Sequence, residues 1–481
     1  MIGTCVALVV SLSQTAVSAA DHGEGAKCAV PTQRVQCGSL TCVNDTCAHC
    51  NVSVADQCYE TAMECNPASH ECVIGHLNAK LGTFIAAATI VIVCSVAAVA
   101  GVGGGAILVS VFVPALGIPV MNAVAFSQAT ITGQSLFNVF VLARRFHPDY
   151  QPPQPTRPVI NWTILAFWLP ISLVGTLYGN LAGKVVPDWF RMAALLLLLT
   201  YILYRVVLRV IKQRAADKAR LLQREEAAAA KTAAASVSTY GSTNHAAPPV
   251  QPPPASPQFP LVPILLVCAA FFPLFIVNII RSRVVRCGSP VYWVLIVLIT
   301  LYEFALTLGY RQHLARAHHA IAMGSEDAEK VPFEWNKYSS IIFPILSSIA
   351  GGAAALLGIG GGLVLSFLLL EAKLVPQEAS ATSAMFTLLV AAESALQFVV
   401  QGNVPYDYGL LCFGCGIVST CIGQFVFVKK IQEKGWSFLI VVALATIMSG
   451  SMIGTIALGI YNTVVIVQSG GSLGFGELCK A

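Results

Sequence analysis

From Leu81 to Ala143 the chain runs for 63 residues without one Asp, Glu, Lys, Arg or His. At 1.5 Å per residue a helix of that length reaches about 95 Å, roughly three times the hydrocarbon thickness of a bilayer. Two interruptions, Gly101-Val-Gly-Gly-Gly105 and Gly117-Ile-Pro119, cut it into pieces near 81–100, 102–116 and 122–143. The rest of the chain continues the theme, with 56% of its 481 residues hydrophobic and only 11% charged. Globular domains carry about 25% charged residues, so this surface belongs against lipid. A net charge of +5, spread this thinly, offers nothing to a nucleic acid. The expected fold class is an all-α polytopic membrane protein. Further apolar segments at 161–183, 189–211, 260–280, 290–310, 338–357, 359–370, 379–400, 406–428 and 436–461 bring the total to about twelve transmembrane segments, two of them short enough to be re-entrant.

The N-terminus follows different rules. Residues 1–20 read as a signal peptide, with an apolar stretch from Ile2 to Val10 and a small-residue site at Val17-Ser18-Ala19, though without a basic start. Residues 21–76 then carry Cys28, Cys37, Cys42, Cys47, Cys50, Cys58, Cys65 and Cys72 among Gly, Pro, Asn and Asp. So short a segment cannot bury a sufficient core, and an even cysteine count behind a signal points to disulfides in an oxidising compartment. The connectivity stays open. Cys47-x-x-Cys50 with Cys58 and Cys65 could hold zinc, but it lacks a matching second pair, so no metal or cofactor is expected. Asn44 and Asn51 open N-x-[ST] acceptor sites, which also put this small ectodomain on the lumenal or extracellular side.

A linker at 213–258 passes from Ala/Arg/Lys/Glu-rich to Ser/Thr-rich to proline-rich and is expected to be a disordered cytoplasmic tether. Basic clusters at Arg144-Arg145 with Arg157, at Arg205 to Arg224, at Arg311 to Arg316 and at Lys429-Lys430 with Lys434 fall on the cytoplasmic side if the N-terminus is outside and twelve segments cross. Arg281, Arg283 and Arg286 dissent, falling outside between the sixth and seventh segments. Either the 260–310 spacer hairpin is misplaced or these arginines line a vestibule.

The chain also repeats itself. Gly101 to Val109 (GVGGGAILV) recurs as Gly358 to Ser366 (GIGGGLVLS), and Pro119 recurs as Pro376 at the same offset of 257. Gly133 to Asn138 (GQSLFN) echoes Ala392 to Gln397 (AESALQ). Five crossings, then two, then five would make membrane repeat 1 (81–212) and membrane repeat 2 (336–465) inverted relative to each other. Inverted repeats with glycine-interrupted segments at matching positions are the sequence pattern of a secondary transporter with a midplane site. A half-helix N-terminus offers free N–H donors and partial positive charge, so two facing each other favour an anion. The plainer alternative, glycines that let helices pack closely, explains one such motif better than two. No GK[ST] follows either one, which excludes a nucleotide loop.

Candidate site residues follow from the repeat. Gly103, Gly104 and Gly105 pair with Gly360, Gly361 and Gly362 at the breaks. Gln134, Ser135 and Asn138 pair with Glu393, Ser394 and Gln397 along the polar-studded helices, with Ser383 nearby. Neutral hydrogen-bonding groups suit an oxyanion that must be released again; interhelical hydrogen bonding is the competing role for many of them. Glu393 is the one carboxylate deep in a repeat span, and it is a candidate for proton coupling or for a neutral helix–helix bond. Glu303 in the spacer is assigned a structural or vestibular place. Cys412, Cys415 and Cys421 read as small buried residues rather than a redox or metal set.

The pair GVGGGAILV and GIGGGLVLS, with ASATSAMFTLL (Ala379 to Leu389) and ALQFVVQGNVPYDYG (Ala395 to Gly409), resembles the TauE/SafE sulfite exporter family. Phe146-His147-Pro148 and Val186-Pro187-Asp188-Trp189 are similar as well. The resemblance spans roughly residues 81–212 and 336–465. It implies export or exchange of small sulfur-containing or organic anions, such as sulfite or sulfonates; with the inverted repeat this reads as a secondary transporter working by alternating access, and no metal-ligand set or nucleophile–base pair in the spans suggests an enzyme. The Cys-rich ectodomain and long linker are additions of the kind eukaryotic members carry, and Glu393 stands where the family usually has a small hydroxyl residue. The alternative is a non-transporting scaffold or receptor that binds a partner through the ectodomain. Either way the chain is a multi-pass protein of the plasma membrane or endomembrane system, N-terminus outside.

Overall fold

A computed structural model describes residues 41–43, 46–51, 63–65, 70, 72–75, 77, 81–99, 105–116, 118–145, 158–187, 189–201, 203–204, 260–322, 338–402, 404–428 and most of 445–464. The expected signal peptide, the linker, and Cys28, Cys37, Cys58, Asn44, Gly103 and Gly104 lie outside these residues. The ectodomain contributes two antiparallel hairpins, β1 (Thr41–Val43) with β2 (Thr46–Ala48) and β3 (Met63–Cys65) with β4 (Cys72–Ile74). The register sets Cys42 opposite Cys47 and Cys65 opposite Cys72. One disulfide, Cys50–Cys65, ties the two hairpins together. Asn51 beside it is exposed.

The remainder is helical: α1 (Leu81–Val99), α2 (Gly105–Leu116), α3 (Val120–Leu142), α4 (Trp162–Val185), α5 (Trp189–Tyr201), α6 (Leu261–Arg283), α7 (Pro290–Ala322), α8 (Phe343–Leu357), α9 (Gly362–Glu371), α10 (Pro376–Val400) and α11 (Tyr406–Ile422), with further helix at 449–457. Among the described residues seven helices are long and apolar enough to cross a membrane, rather than the twelve segments expected. The difference has a physical source. At 1.5 Å per residue the 12 residues of α2 and 10 of α9 reach about 18 and 15 Å, half a bilayer. The polar stud of α3 lowers its hydropathy, and the last segment is described only in part.

Start and stop signals account for the boundaries. Pro119 caps α3 and Pro376 opens α10, the two prolines related by the repeat. Proline suits a first turn because its missing N–H would have no intrahelical partner there. The α8 helix stops at Gly358 in the left-handed region (φ +73°), and Gly361, the cap of α9, has φ +72°. Any side chain at either glycine would strain the backbone. Asn161 caps α4, its side chain accepting from Ile164 N at 3.1 Å and donating to Glu378 Oε1 at 2.9 Å, so the cap also fastens α4 to the start of α10.

The interhelical contacts sort the helices by direction. Between α3 and α11 a Cβ at Gly416 would meet Thr130 O; one turn on, Thr420 donates to Gln134 O at 3.3 Å; another turn on, Gln424 donates to Asn138 Oδ1 at 2.8 Å. The two helices therefore run the same way. On α1, Ser95 donates to Ser419 O at 2.9 Å and Ala98 O accepts from Gln424, so α1 joins them. A second parallel set holds α4 and α10, linked through Asn161 with Glu378 at one end and Asn180 with Gln397 at the other. It also holds α8, whose Ser347 donates to Trp168 O while a Cβ at Gly351 would meet Ser172 O. The hydrophobic core divides accordingly, one cluster centred on α4, α8, α6 and α10 and another on α1, α2, α3 and α11. Of the seven long apolar spans α4 is the most enclosed, 89% buried, against 28% for α6 and α7, which both pack on it.

Candidate functional site

The two glycine breaks meet. A Cβ built at Gly105, the first residue of α2, would strike Gly358 O and Ile131 Cδ1 and stand 3.2 Å from Ile359 Cα. A Cβ at Gly360 would stand 2.8 Å from Ile131, and one at Gly362 would strike Thr387 Oγ1. Gly105 and Gly362 thus open α2 and α9 against the middles of α3 and α10, so both half-helices begin in the interior of the helix bundle. Each such end presents N–H groups with no intrahelical acceptor. Ser127 Oγ donates to Gly358 O at 3.0 Å and Gln128 Nε2 to Ala354 O at 2.7 Å, fastening α3 to the break in the second half.

Many of the polar residues flanking the breaks hold helices together. Thr130, Thr132 and Thr387 donate to carbonyls one turn back, and Ser383 donates to Ser380 O at 3.1 Å. Ser135 is buried. Gln134 Nε2 donates to Cys94 O at 3.2 Å, leaving its buried Oε1 without a partner. Asn138 accepts from Gln424, and Gln397 accepts from Asn180. These amide pairs occupy matching places: α3 with the π turn that ends α11, and α10 with α4. Sequence reasoning named Asn138 and Gln397 but missed Asn180 and Gln424, which were visible only as intramembrane amides.

Along α10 a second group gathers. Glu393 is fully buried, accepts from Asn278 Nδ2 of α6 through Oε1, and leaves Oε2 without a partner. Ser394 Oγ and Gln397 Nε2 are likewise buried and unpartnered. Arg281, one turn beyond Asn278, is 2% exposed; its Nη1 donates to Tyr292 OH at 3.3 Å, its guanidinium lies 5.2 Å from that ring centroid, and it stands within electrostatic range of Glu393. Glu303, on α7, is fully buried and faces Glu393 more distantly. The spacer is therefore a helical hairpin as expected, but of its three arginines Arg281 turns inward while Arg283 and Arg286 are exposed. Cys94, Cys268, Cys412, Cys415 and Cys421 form no disulfide, and no cluster of three metal-ligating side chains occurs among the described residues.

Half-length helices opening onto a polar seam inside a bundle of apolar spans describe a multi-pass membrane protein. Comparison with known proteins shows what the chain resembles. The family model "Sulfite exporter TauE/SafE" matches residues 225–453. Sulfite exporter TauE/SafE family protein 3 of Arabidopsis thaliana is 25% identical over 396 residues, 79% of each chain. Family protein 1 of the same plant is 21% identical over 420 residues, 84% of this chain and 89% of its own. The chain is thus similar to TauE/SafE sulfite exporter proteins over about four-fifths of its length. No solved structure matches it.

Proposed function

We propose that the chain is a secondary transporter that moves small sulfur-containing or organic oxyanions, sulfite- or sulfonate-like, by alternating access of two inverted repeats, 81–212 and 336–465. The observation that carries this reading is the contact of Gly105 with Gly358 and Ile359, which brings the interior start of one half-helix against the break that precedes the other. Their free N–H groups supply positive potential without a fixed charge, so an anion can be held and then let go. Reciprocal packing supports the repeat: α1 lies on α11 as α8 lies on α4, and α3 on α11 as α10 on α4. Exchanging the halves leaves that set of neighbours unchanged. Two parallel sets of helices are what inverted repeats produce. Gly103, Gly104 and Gly105 with Gly360, Gly361 and Gly362 form the centre of the substrate path, walled by Gln134, Ser135, Asn138, Ser383, Ser394 and Gln397, and Glu393 carries the coupling proton. A scaffold or receptor gives no reason for unpartnered polar atoms in the interior.

An outside N-terminus is supported by sulfur chemistry. Cys50–Cys65 in the ectodomain is oxidised, and Cys287, in the turn between α6 and α7, is also disulfide-bonded. Disulfides persist in oxidising compartments, so both belong on the lumenal or extracellular side of the plasma membrane or an endomembrane. The test of transport is flux into proteoliposomes holding the full chain. Saturable uptake of labelled sulfite, sulfate or a small sulfonate is expected, and failure of all three to cross would sink the reading.

A further inference from the structure

Lys184, Arg281 and Gln397 converge at one end of the parallel set. Asn180 meets Gln397 and Asn278 meets Glu393. One turn beyond Asn180 is Lys184, one turn beyond Asn278 is Arg281, and one turn beyond Glu393 is Gln397. Because α4 and α10 run together and Arg281 lies within electrostatic range of both Lys184 and Glu393, these side chains share one level. Here the interior holds donors with nothing to donate to: Arg281 Nε, Gln397 Nε2 and Ser394 Oγ, on residues no more than 3% exposed. Lys184 and Arg281 repel each other, and Glu393 engages Arg281 electrostatically while its hydrogen bond goes to Asn278.

A helix C-terminus stabilises a nearby cation, which accounts for basic residues at the ends of α4 and α6. It does not account for Arg281 being turned inward onto α10 while Arg283 and Arg286 at the same end face out. A guanidinium presents a planar fork of donors that matches two oxygens of an oxyanion, a geometry a lysine lacks.

We propose that Arg281, contributed by the spacer hairpin, is the cation that receives the substrate oxyanion, with Lys184, Gln397 and Ser394 completing the shell and Glu393 as the counter-charge that the substrate displaces. This rests on the transport reading and adds to it a station the repeats alone do not contain. Thr387, against which α9 begins, is six residues before Glu393 on α10, so the station stands about 9 Å along that helix from the glycine breaks. Facing the pair are Lys184 from α4 and Tyr292 and Glu303 from α7.

The experiment is sulfite exchange in proteoliposomes at fixed pH with the full chain, comparing wild type, Arg281→Gln, Arg281→Gln with Glu393→Gln, and Arg283→Gln. Arg281→Gln strands a buried carboxylate and can misfold; the double variant removes both charges and keeps the test available. The expected result is a sulfite KM raised about tenfold or more in both Arg281 variants and unchanged in Arg283→Gln. If the double variant recovers the wild-type KM, Arg281 merely neutralises Glu393 and the proposal is overturned; a folded Arg281→Gln with normal KM overturns it too. Wild-type protein that moves neither sulfite, sulfate nor sulfonate removes the transport reading first and this one with it.

Discussion

Gly105 opens α2 directly against the backbone carbonyl of Gly358, so the start of one broken helix and the stop before the other share a single close contact. Backbone cannot retreat as a side-chain tip can. Gly105→Ala is expected to cost about 1–3 kcal/mol, the range for overpacking a filled interior, and to lower the unfolding temperature of purified protein. Gly309, inside α7, has nothing within 4 Å of an added Cβ. Gly309→Ala should therefore gain about 0.5–1 kcal/mol from helix propensity alone. Thermal unfolding in detergent reads both signs; equal effects would deny the close contact.

The two amide pairs predict a coupling. Asn180 with Gln397 and Asn138 with Gln424 each place a carboxamide against another in the apolar interior. Replacing one partner by Leu leaves the other unsatisfied, whereas replacing both removes the debt. A double-mutant cycle on Asn180→Leu and Gln397→Leu should show a favourable interaction of about 0.6 kcal/mol, the average found for interhelical hydrogen bonds in membranes. Additive losses would show that the pair is incidental.

Much of this architecture was legible in the sequence because it is written in local signals. The charge-free run before Arg144, the glycine breaks, and Pro119 with Pro376 marked helix starts and stops within about three residues of where they stand. What could not be read is the partnership of the spacer with the second half. Asn278 and Glu393 lie 115 residues apart, and no periodicity connects them. Arg281 appeared only as a breach of charge asymmetry, because a count of basic residues cannot tell a side chain facing solvent from one folded onto a carboxylate. Asn180 and Gln424 escaped for the same reason: an amide in an apolar helix announces a partner without naming it. Apolar composition alone also does not distinguish a half-helix such as α2 or α9 from a full crossing.

Glu393→Gln separates coupling from binding. The amide oxygen of Gln can still accept from Asn278, so the helix contact survives, but no proton is gained or lost. Uptake driven by a pH gradient is expected to vanish while equilibrium exchange continues. With a small sulfonate, whose charge is constant across the range, wild-type affinity should rise as pH falls, since protonating Glu393 releases Arg281 for the substrate. The variant should show a flat profile held near the low-pH limb. Glu303 faces Glu393 and could titrate in its place, so Glu303→Gln is run alongside. A retained slope in Glu393→Gln, lost in Glu303→Gln, would move the coupling role to α7. Gradient dependence unchanged in both would return Glu393 to a structural bond.

The orientation can be read from one cysteine and one asparagine. Cys287 is disulfide-bonded at the α6–α7 turn, Asn51 is exposed beside the Cys50–Cys65 disulfide, and Cys94, Cys268, Cys412, Cys415 and Cys421 form no disulfide. If the ectodomain and the turn share the oxidising side, a membrane-impermeant reductant applied from that side should expose Cys287 to an impermeant maleimide. The same reductant sealed on the other side should not. Mass analysis of tryptic fragments assigns the label, and glycosidase digestion should shift protein made in the secretory pathway but not its Asn44→Gln, Asn51→Gln variant. Labelling of Cys287 without reductant would remove the sulfur argument, and reduction only from the cytoplasmic side would reverse the orientation. It would then place the Arg281 station at the inner mouth of the path, and the same arginines would obey the positive-inside asymmetry instead of breaking it.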